Sequence, residues 1–218
     1  MLFKLIESCK WKKVRNLLNS SNAYEMTLEL DSSDLNCLAF AVGHSAPIDI
    51  IQQIIRINPS LGTSRDVFGA TALHVATLNG ASIDIIKLLM EHYPSLVHEL
   101  DFDRRSSLHH AVEYACQSGD HNYSYLDVIQ LLSLEAPQMI LTRDTDGDTP
   151  IDLVQVVKID LVEKSKEYAR LHSVYTLLRQ TSISVYKDNK TKWELEGYSE
   201  KVDFEADKQT ETTSSLCS

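Results

Sequence analysis

Asp66-Val67-Phe68-Gly69-Ala70-Thr71-Ala72-Leu73-His74-Val75-Ala76 is the stretch whose punctuation decides the fold. Asp66 and Gly69 mark a tight turn, since Asp bonds its own following backbone and Gly takes positive φ without strain. The spacing that follows predicts a short helix over 72–78 and a break at Asn79-Gly80, where Gly ends a helix in the left-handed conformation. Ser82 and Asp84 then offer an oxygen acceptor and a negative charge to the free amides of a second helix, from about Ile83 to His92. Ile83, Ile86, Leu89 and Met90 recur at three- and four-residue intervals along it, as a buried stripe does.

Outward from this unit the same grammar repeats. An Asp, a short polar stretch and a helix start run from Asp31 to Leu38, Asp66 to Leu73, Asp101 to Leu108 and Asp144 to Ile151. The anchors Leu38, Leu73 and Leu108 are 35 residues apart, and Ile151 follows after 43. Ala41, Ala76, Ala111 and Val154 stand three residues beyond each anchor, where a small residue lets neighbouring helices approach. Pro59, Pro94 and Pro137 close the second helices at the same two intervals. Three markers in one phase define a repeat. The eight extra residues of the third unit lie between Glu113 and Tyr125, before a second helix that begins near Leu126, against Leu78 to Ser82 in the second unit. Such an insertion reads either as a contact loop or as a tolerated surface loop. One helix pair cannot bury its own apolar face, whereas a stack of them makes a continuous core.

Gly69-Ala70-Thr71-Ala72-Leu73-His74 resembles the ankyrin repeat signature, in which Gly and a variable residue precede Thr-Pro-Leu-His. Gly147-Asp148-Thr149-Pro150-Ile151-Asp152 matches its Gly and Thr-Pro but carries Asp152 in place of His. The third unit keeps Leu108-His109, with Arg104 for Gly and Ser106-Ser107 for Thr-Pro. The first has Asp34 at the Gly position and Asn36-Cys37-Leu38-Ala39, and rests on its phase. Leu2 to Ser20, with Trp11, Val14, Leu17 and Leu18, resembles a degenerate capping repeat. The resemblance implies an all-α solenoid of stacked helix-turn-helix units with hairpin-like fingers. Its expected divisions are a cap over 1–30, repeats over 31–65, 66–100, 101–143 and 144–181, and an acidic tail over 182–218. It implies a structural role for His74 and His109, and protein binding along the concave face made by fingers and first helices.

By register, that face would present Val67, Phe68, Ala70, Leu78 and Asn79 in the second repeat. It would present Phe102, Asp103, Arg105, Glu113 and Tyr114 in the third, and Thr145, Asp146, Asp148, Val156 and Val157 in the fourth. Phe68, Phe102, Arg105 and Tyr114 are residue types that anchor interfaces. The alternative for Phe68 and Phe102 is packing on the neighbouring finger.

Composition points the same way. The 218 residues are 43% apolar with a formal charge of -10, so the chain can build a core while its surface repels nucleic-acid phosphates and anionic membranes. Cys9, Cys37, Cys116 and Cys217 form no CxxC pair and read as reduced thiols of a cytoplasmic protein, nuclear entry remaining open. Lys4 and Glu7 interrupt any signal-peptide core, and no run approaches the ~18 apolar residues of a membrane helix. His109 and His110, adjacent in a helix, diverge by about 100° and cannot share a metal. Asp144, Asp146 and Asp148 alternate like a calcium loop, but Gln155 stands where its bidentate Glu belongs. No HExxH, GxSxG or GxxxxGK[ST] motif occurs. The expectation is a monomeric, non-catalytic protein-binding module with no cofactor or metal. A regulatory subunit or inhibitor that occludes an enzyme is the alternative, and an enzyme with an unrecognised site the more distant one. Residues 182–218, with eight acids and five lysines, read as a disordered tail in which Trp193-Glu194-Leu195 and Tyr198 are a candidate docking element.

Overall fold

The computed structural model describes residues 1–118, 125–159 and 166–195, the side chains of 156–159, 166 and 189–195 excepted. Eleven α-helices account for most of the described residues. They are α1 (Leu2–Glu7), α2 (Trp11–Leu18), α3 (Ala23–Thr27), α4 (Cys37–Gly43), α5 (Ile48–Ile57), α6 (Ala72–Leu78) and α7 (Ile83–His92), followed by α8 (Ser107–Gln117), α9 (Tyr125–Glu135), α10 (Pro150–Ile159) and α11 (Lys166–Leu195). Residues Met1–Ile183 form one compact unit, and Ser184–Ser218 is assigned to a second.

In the first unit, the first helix of each pair packs on its counterpart in the next, α1 on α4, then α6, α8 and α10. The second helices form a parallel row, α2, α5, α7 and α9. The phase explains this stacking. Leu38, Leu73 and Leu108 are buried, and Ala41, Ala76, Ala111 and Val154 have no exposed surface at all. Any larger side chain at those four positions would push two helices apart. Ile151, the fourth anchor by phase, is only half-buried.

The stripe on α7 is broader than its spacing suggests. Ile85, Ile86, Leu88 and Leu89 are buried, while Ile83 and Met90 are half-buried. The reason is tertiary: α7 is covered by α6, α5 and α9, so more than one face loses water. Ser82 occupies the N-cap of α7, yet its hydroxyl makes no capping hydrogen bond. Each punctuating proline both follows one helix and starts a 3₁₀ turn, at Pro59–Thr63, Pro94–His98 and Pro137–Leu141. Pro suits that first position because its missing N–H would have no partner there.

Part of the eight-residue insertion is helical rather than loop. α8 has 11 residues against 7 in α6, an added turn that ends at Gln117, and α9 begins at Tyr125. The remainder of the insertion, 119–124, lies outside the described residues. Likewise α11 continues past residue 182 to Leu195, where composition had suggested a disordered tail. No Gly or Pro interrupts 182–195, so nothing in that stretch stops the helix. Residues 196–218 lie outside the described ones, and with them Tyr198 of the candidate docking element.

Candidate protein-binding face

The recurring Asp is the keystone of each finger. Asp66 Oδ1 accepts the N–H groups of Phe68 at 2.9 Å and Ala70 at 2.8 Å. Asp31 does the same for Ser33 and Leu35, and Asp144 for Asp146 and Asp148. Asp101 accepts from Arg105 N. Each Asp N–H also crosses the hairpin, to Leu35, Ala70, Arg105 and Asp148 carbonyls at 3.0–3.1 Å. A carboxylate held by converging backbone N–H groups stays ionised and fixes the loop. Asp144 shows it: burial resists its charge, yet the Asp148 and Asp146 amides and the Arg105 guanidinium leave its carboxyl below the usual range. The Asp144-Asp146-Asp148 alternation is thereby explained as finger geometry. Among the described residues no group of three or more His, Cys, Asp or Glu is placed to hold a metal ion.

The turn at each fingertip needs a left-handed residue, and four different residues supply it: Asp34 (φ 55), Gly69 (φ 77), Arg104 (φ 60) and Gly147 (φ 91). Neighbouring fingers are zipped by backbone. Val67 N donates to Ser33 O at 3.1 Å, Phe102 N to Phe68 O at 2.9 Å and Thr145 N to Asp103 O at 2.9 Å. Each of the four fingers is thus tied to the next by a backbone hydrogen bond.

Below the fingers, the helix starts are capped in one recurring way. Thr71 N–H donates to His74 Nδ1 at 3.1 Å, with the Thr71 hydroxyl 2.9 Å from the same nitrogen. Ser106 and His109 repeat this with the same two distances. In the last unit Asp152 takes over the role of His: its Oδ2 accepts from Thr149 N at 2.9 Å and from the Thr149 hydroxyl at 2.7 Å. In the first, Asn36 accepts from Leu38 N and Ala39 N, both at 3.0 Å. Burial is the main cause that pushes the His74 imidazole down to about 4, and the His110 ring 5.7 Å away adds to it. His109 is also lowered, again chiefly by burial. His110 leaves this pattern: its Nε2 lies 2.8 Å from Asp101 Oδ2. Buried surroundings push the Cys37 thiol up to about 12 and Cys116 up to about 11, so both stay protonated at neutral pH.

The residues that register assigns to the concave face fall into three groups. Val67, Phe68, Leu78, Asn79, Phe102, Asp103, Thr145 and Asp146 are exposed. Ala70, Arg105, Glu113, Tyr114 and Asp148 are half-buried. The side chains of Val156 and Val157 are outside the described set. Phe68 and Phe102, 66% and 69% exposed, sit on adjacent zipped fingers. Phe102 also covers Gly69, where an added Cβ would meet its ring at 2.6 Å, so it packs on the neighbouring finger while most of it stays in water.

Two candidates are more deeply committed to the framework than their residue types suggest. Arg105 Nη1 donates to Glu113 at 3.0 Å and its Nε to Asp144 at 3.2 Å, which ties the third finger to α8 and to the next finger. Tyr114 lies on Gly80, where an added Cβ would be 2.1 Å from its ring, and packs against Tyr125 at 4.4 Å between centroids. Tyr93 covers Gly62 in the same manner, at 2.2 Å. Three glycines are thus each roofed by an aromatic ring of the following unit. Placing the units side by side puts bulk opposite glycine, but nothing in one unit alone marks the pair. Arg65 donates to Gly69 O at 2.6 Å and Leu100 O at 2.7 Å and pairs with Glu99; its signal in the sequence is the Arg-Asp pair that recurs at Arg143-Asp144, where Arg143 donates to Gly147 O.

Stacked helix pairs with backbone-zipped fingers define a helical repeat protein. The family of ankyrin repeats (3 copies) matches residues 35–144, 110 of 218 and therefore half of the chain. The protein belongs to the ankyrin repeat family. No curated protein matches it. Ankyrin repeats are generally protein–protein interaction modules and typically non-catalytic. No helix among the described residues is long and apolar enough to cross a membrane.

Proposed function

We propose that this protein binds a partner protein along the edge formed by its fingers and first helices, with Phe68 and Phe102 as anchors. The observation that carries this reading is the exposure of the two rings on a preformed surface. Together they present apolar area to water from hairpins whose backbone is fixed by Asp66, Asp101 and the Phe102–Phe68 hydrogen bond. A rigid scaffold spends little conformational entropy on association, and aromatic anchors supply much of the contact energy. Val67 and Leu78, assigned to the same face by register, are exposed as well. Asp103, Thr145 and Asp146 give it a polar rim. Binding of this kind needs no cofactor.

The test is a Phe68→Ser, Phe102→Ser double variant used as bait against cell lysate, with unchanged protein as reference and thermal melting measured alongside. Tyr114 is left intact, since its contact with Gly80 would confuse binding with stability. Loss of the proteins captured by the reference, with melting nearly unchanged, supports the reading. Undiminished capture refutes it.

A further inference from the structure

The helices α1 and α2 carry charge opposite in sign to the rest of the chain. Residues 1–18 hold Lys4, Lys10, Lys12, Lys13 and Arg15 against the acid Glu7, a net of +4, so the other residues together carry -14 of the total -10. Arg15 is committed, its guanidinium bound to both oxygens of Asp49 at 2.5 and 2.9 Å. The four lysines are exposed, and none forms an ion pair with a described residue.

One of them, Lys13, lines an open groove of about 520 Å³ between α1, α2 and α3. Its apolar surface comes from Leu5, Leu17 and Met26, with Met1 at the mouth, and α2 supplies Lys13 and Asn16. Lys13, Asn16 and Leu17 share one face of α2 at three- and four-residue spacing, whereas Val14 and Leu18 on the adjoining face are buried in the core. Tyr24 on α3 and Leu28 just after it are also exposed. Methionine is suited to such a place, because its unbranched, polarizable side chain adapts to varied apolar partners.

We propose that this groove takes an acidic amphipathic helix of a partner protein, whose apolar face covers Leu5, Leu17 and Met26 and whose carboxylates meet Lys13 and its neighbouring lysines. The site is distinct from the finger edge. Charge selects this occupant over other polyanions. A nucleic-acid strand or an anionic bilayer extends well beyond four lysines and meets the repulsion of the acidic remainder. A short helix fits within the patch. A groove lined by apolar residues receives a helix as grooves for amphipathic helices do.

The experiment uses the full chain and a fluorescent peptide with Leu at i, i+3, i+4 and i+7 and Glu elsewhere, followed by anisotropy at low and high salt. A scrambled peptide of the same composition, phosphatidylserine vesicles and a single-stranded oligothymidylate are the comparisons. The expected result is saturable binding of the patterned peptide, weakened by salt and reduced about tenfold or more by Lys13→Glu with Asn16→Glu, two surface changes that leave melting unchanged. Methyl shifts on binding should appear at Leu5, Leu17 and Met26. No binding of the patterned peptide, equal binding of the scrambled one, an undiminished affinity in the double variant, or tighter binding of vesicles or oligonucleotide would each overturn the proposal. Shifts at Val67 and Leu78 instead would assign the peptide to the finger edge, which overturns this site and leaves the finger reading standing.

Discussion

Gly80→Ala puts one methyl group into the contact between the second and third repeats, and its cost can be worked from two separate origins. Gly80 has φ +66, where a β-carbon costs about 1–2 kcal/mol. Against this, alanine narrows the unfolded ensemble and returns about 0.4–1 kcal/mol. The second origin is steric: the new Cβ would lie 2.1 Å from Tyr114 Cζ, well inside van der Waals contact. The ring cannot simply withdraw, because it packs on Tyr125, whose hydroxyl donates to the Thr77 carbonyl at the end of α6. Overpacking of this kind costs about 1–3 kcal/mol. The sum is about 3 kcal/mol, or a fall in melting temperature of about 10 °C for a chain of this length. The assay is a double-mutant cycle with Tyr114→Ala, by urea unfolding. Removing the ring frees space for the methyl, so the cost of Gly80→Ala should fall to about 1 kcal/mol, a coupling of about 2 kcal/mol. Equal costs in both backgrounds would show that the ring contact carries no energy and that backbone conformation alone explains the glycine.

Arg104 (φ 60) and Ser45 (φ 54) occupy left-handed positions that the second repeat gives to Gly69 and Gly80, so Arg104→Gly and Ser45→Gly are each expected to raise stability by about 0.5–1 kcal/mol in denaturant titrations. Asp66→Ala removes the acceptor of the Phe68 and Ala70 amides and should cost about 2 kcal/mol, while Asp66→Asn, which keeps an oxygen in place, should cost about half of that, read by the same titrations. His74 binds its proton less tightly folded, at about 4, than unfolded, at 6.5, so the unfolded state takes up protons first as pH falls. Stability that is full above the unfolded value is therefore lost as pH drops from 6.5 toward 4, about 2 kcal/mol of it between pH 7 and pH 5. His109 contributes in the same direction. Urea titrations across that range should show a shallower pH dependence in His74→Gln than in the unchanged protein, and an identical slope would refute the assignment.

The order of elements was legible in the chain because repetition averages out local ambiguity. Asp66, Leu73, Ala76 and Pro94 each carry a weak signal, but their recurrence in one phase marked the succession of helix pairs from α4 to α10, and the spacing within the second unit marked its second helix at Ile83–His92. The shared caps also join residues three apart in sequence, Thr71 with His74 and Thr149 with Asp152, although only a structural role for His74 and His109 was expected, and that from the resemblance. Chain-local chemistry is what a sequence states directly. What tertiary structure alone decided lies between units. Phe102 over Gly69, Tyr114 over Gly80, Arg105 between Glu113 and Asp144, and the Phe102–Phe68 backbone bond all join residues 8 to 39 positions apart. Those contacts depend on how far one helix pair is rotated and shifted against the next, a quantity set by the sum of side-chain volumes across the whole stack. The same sum settles which aromatic residues remain in water, so the repeat could be read from spacing, whereas the division between exposed and framework residues required the packed molecule.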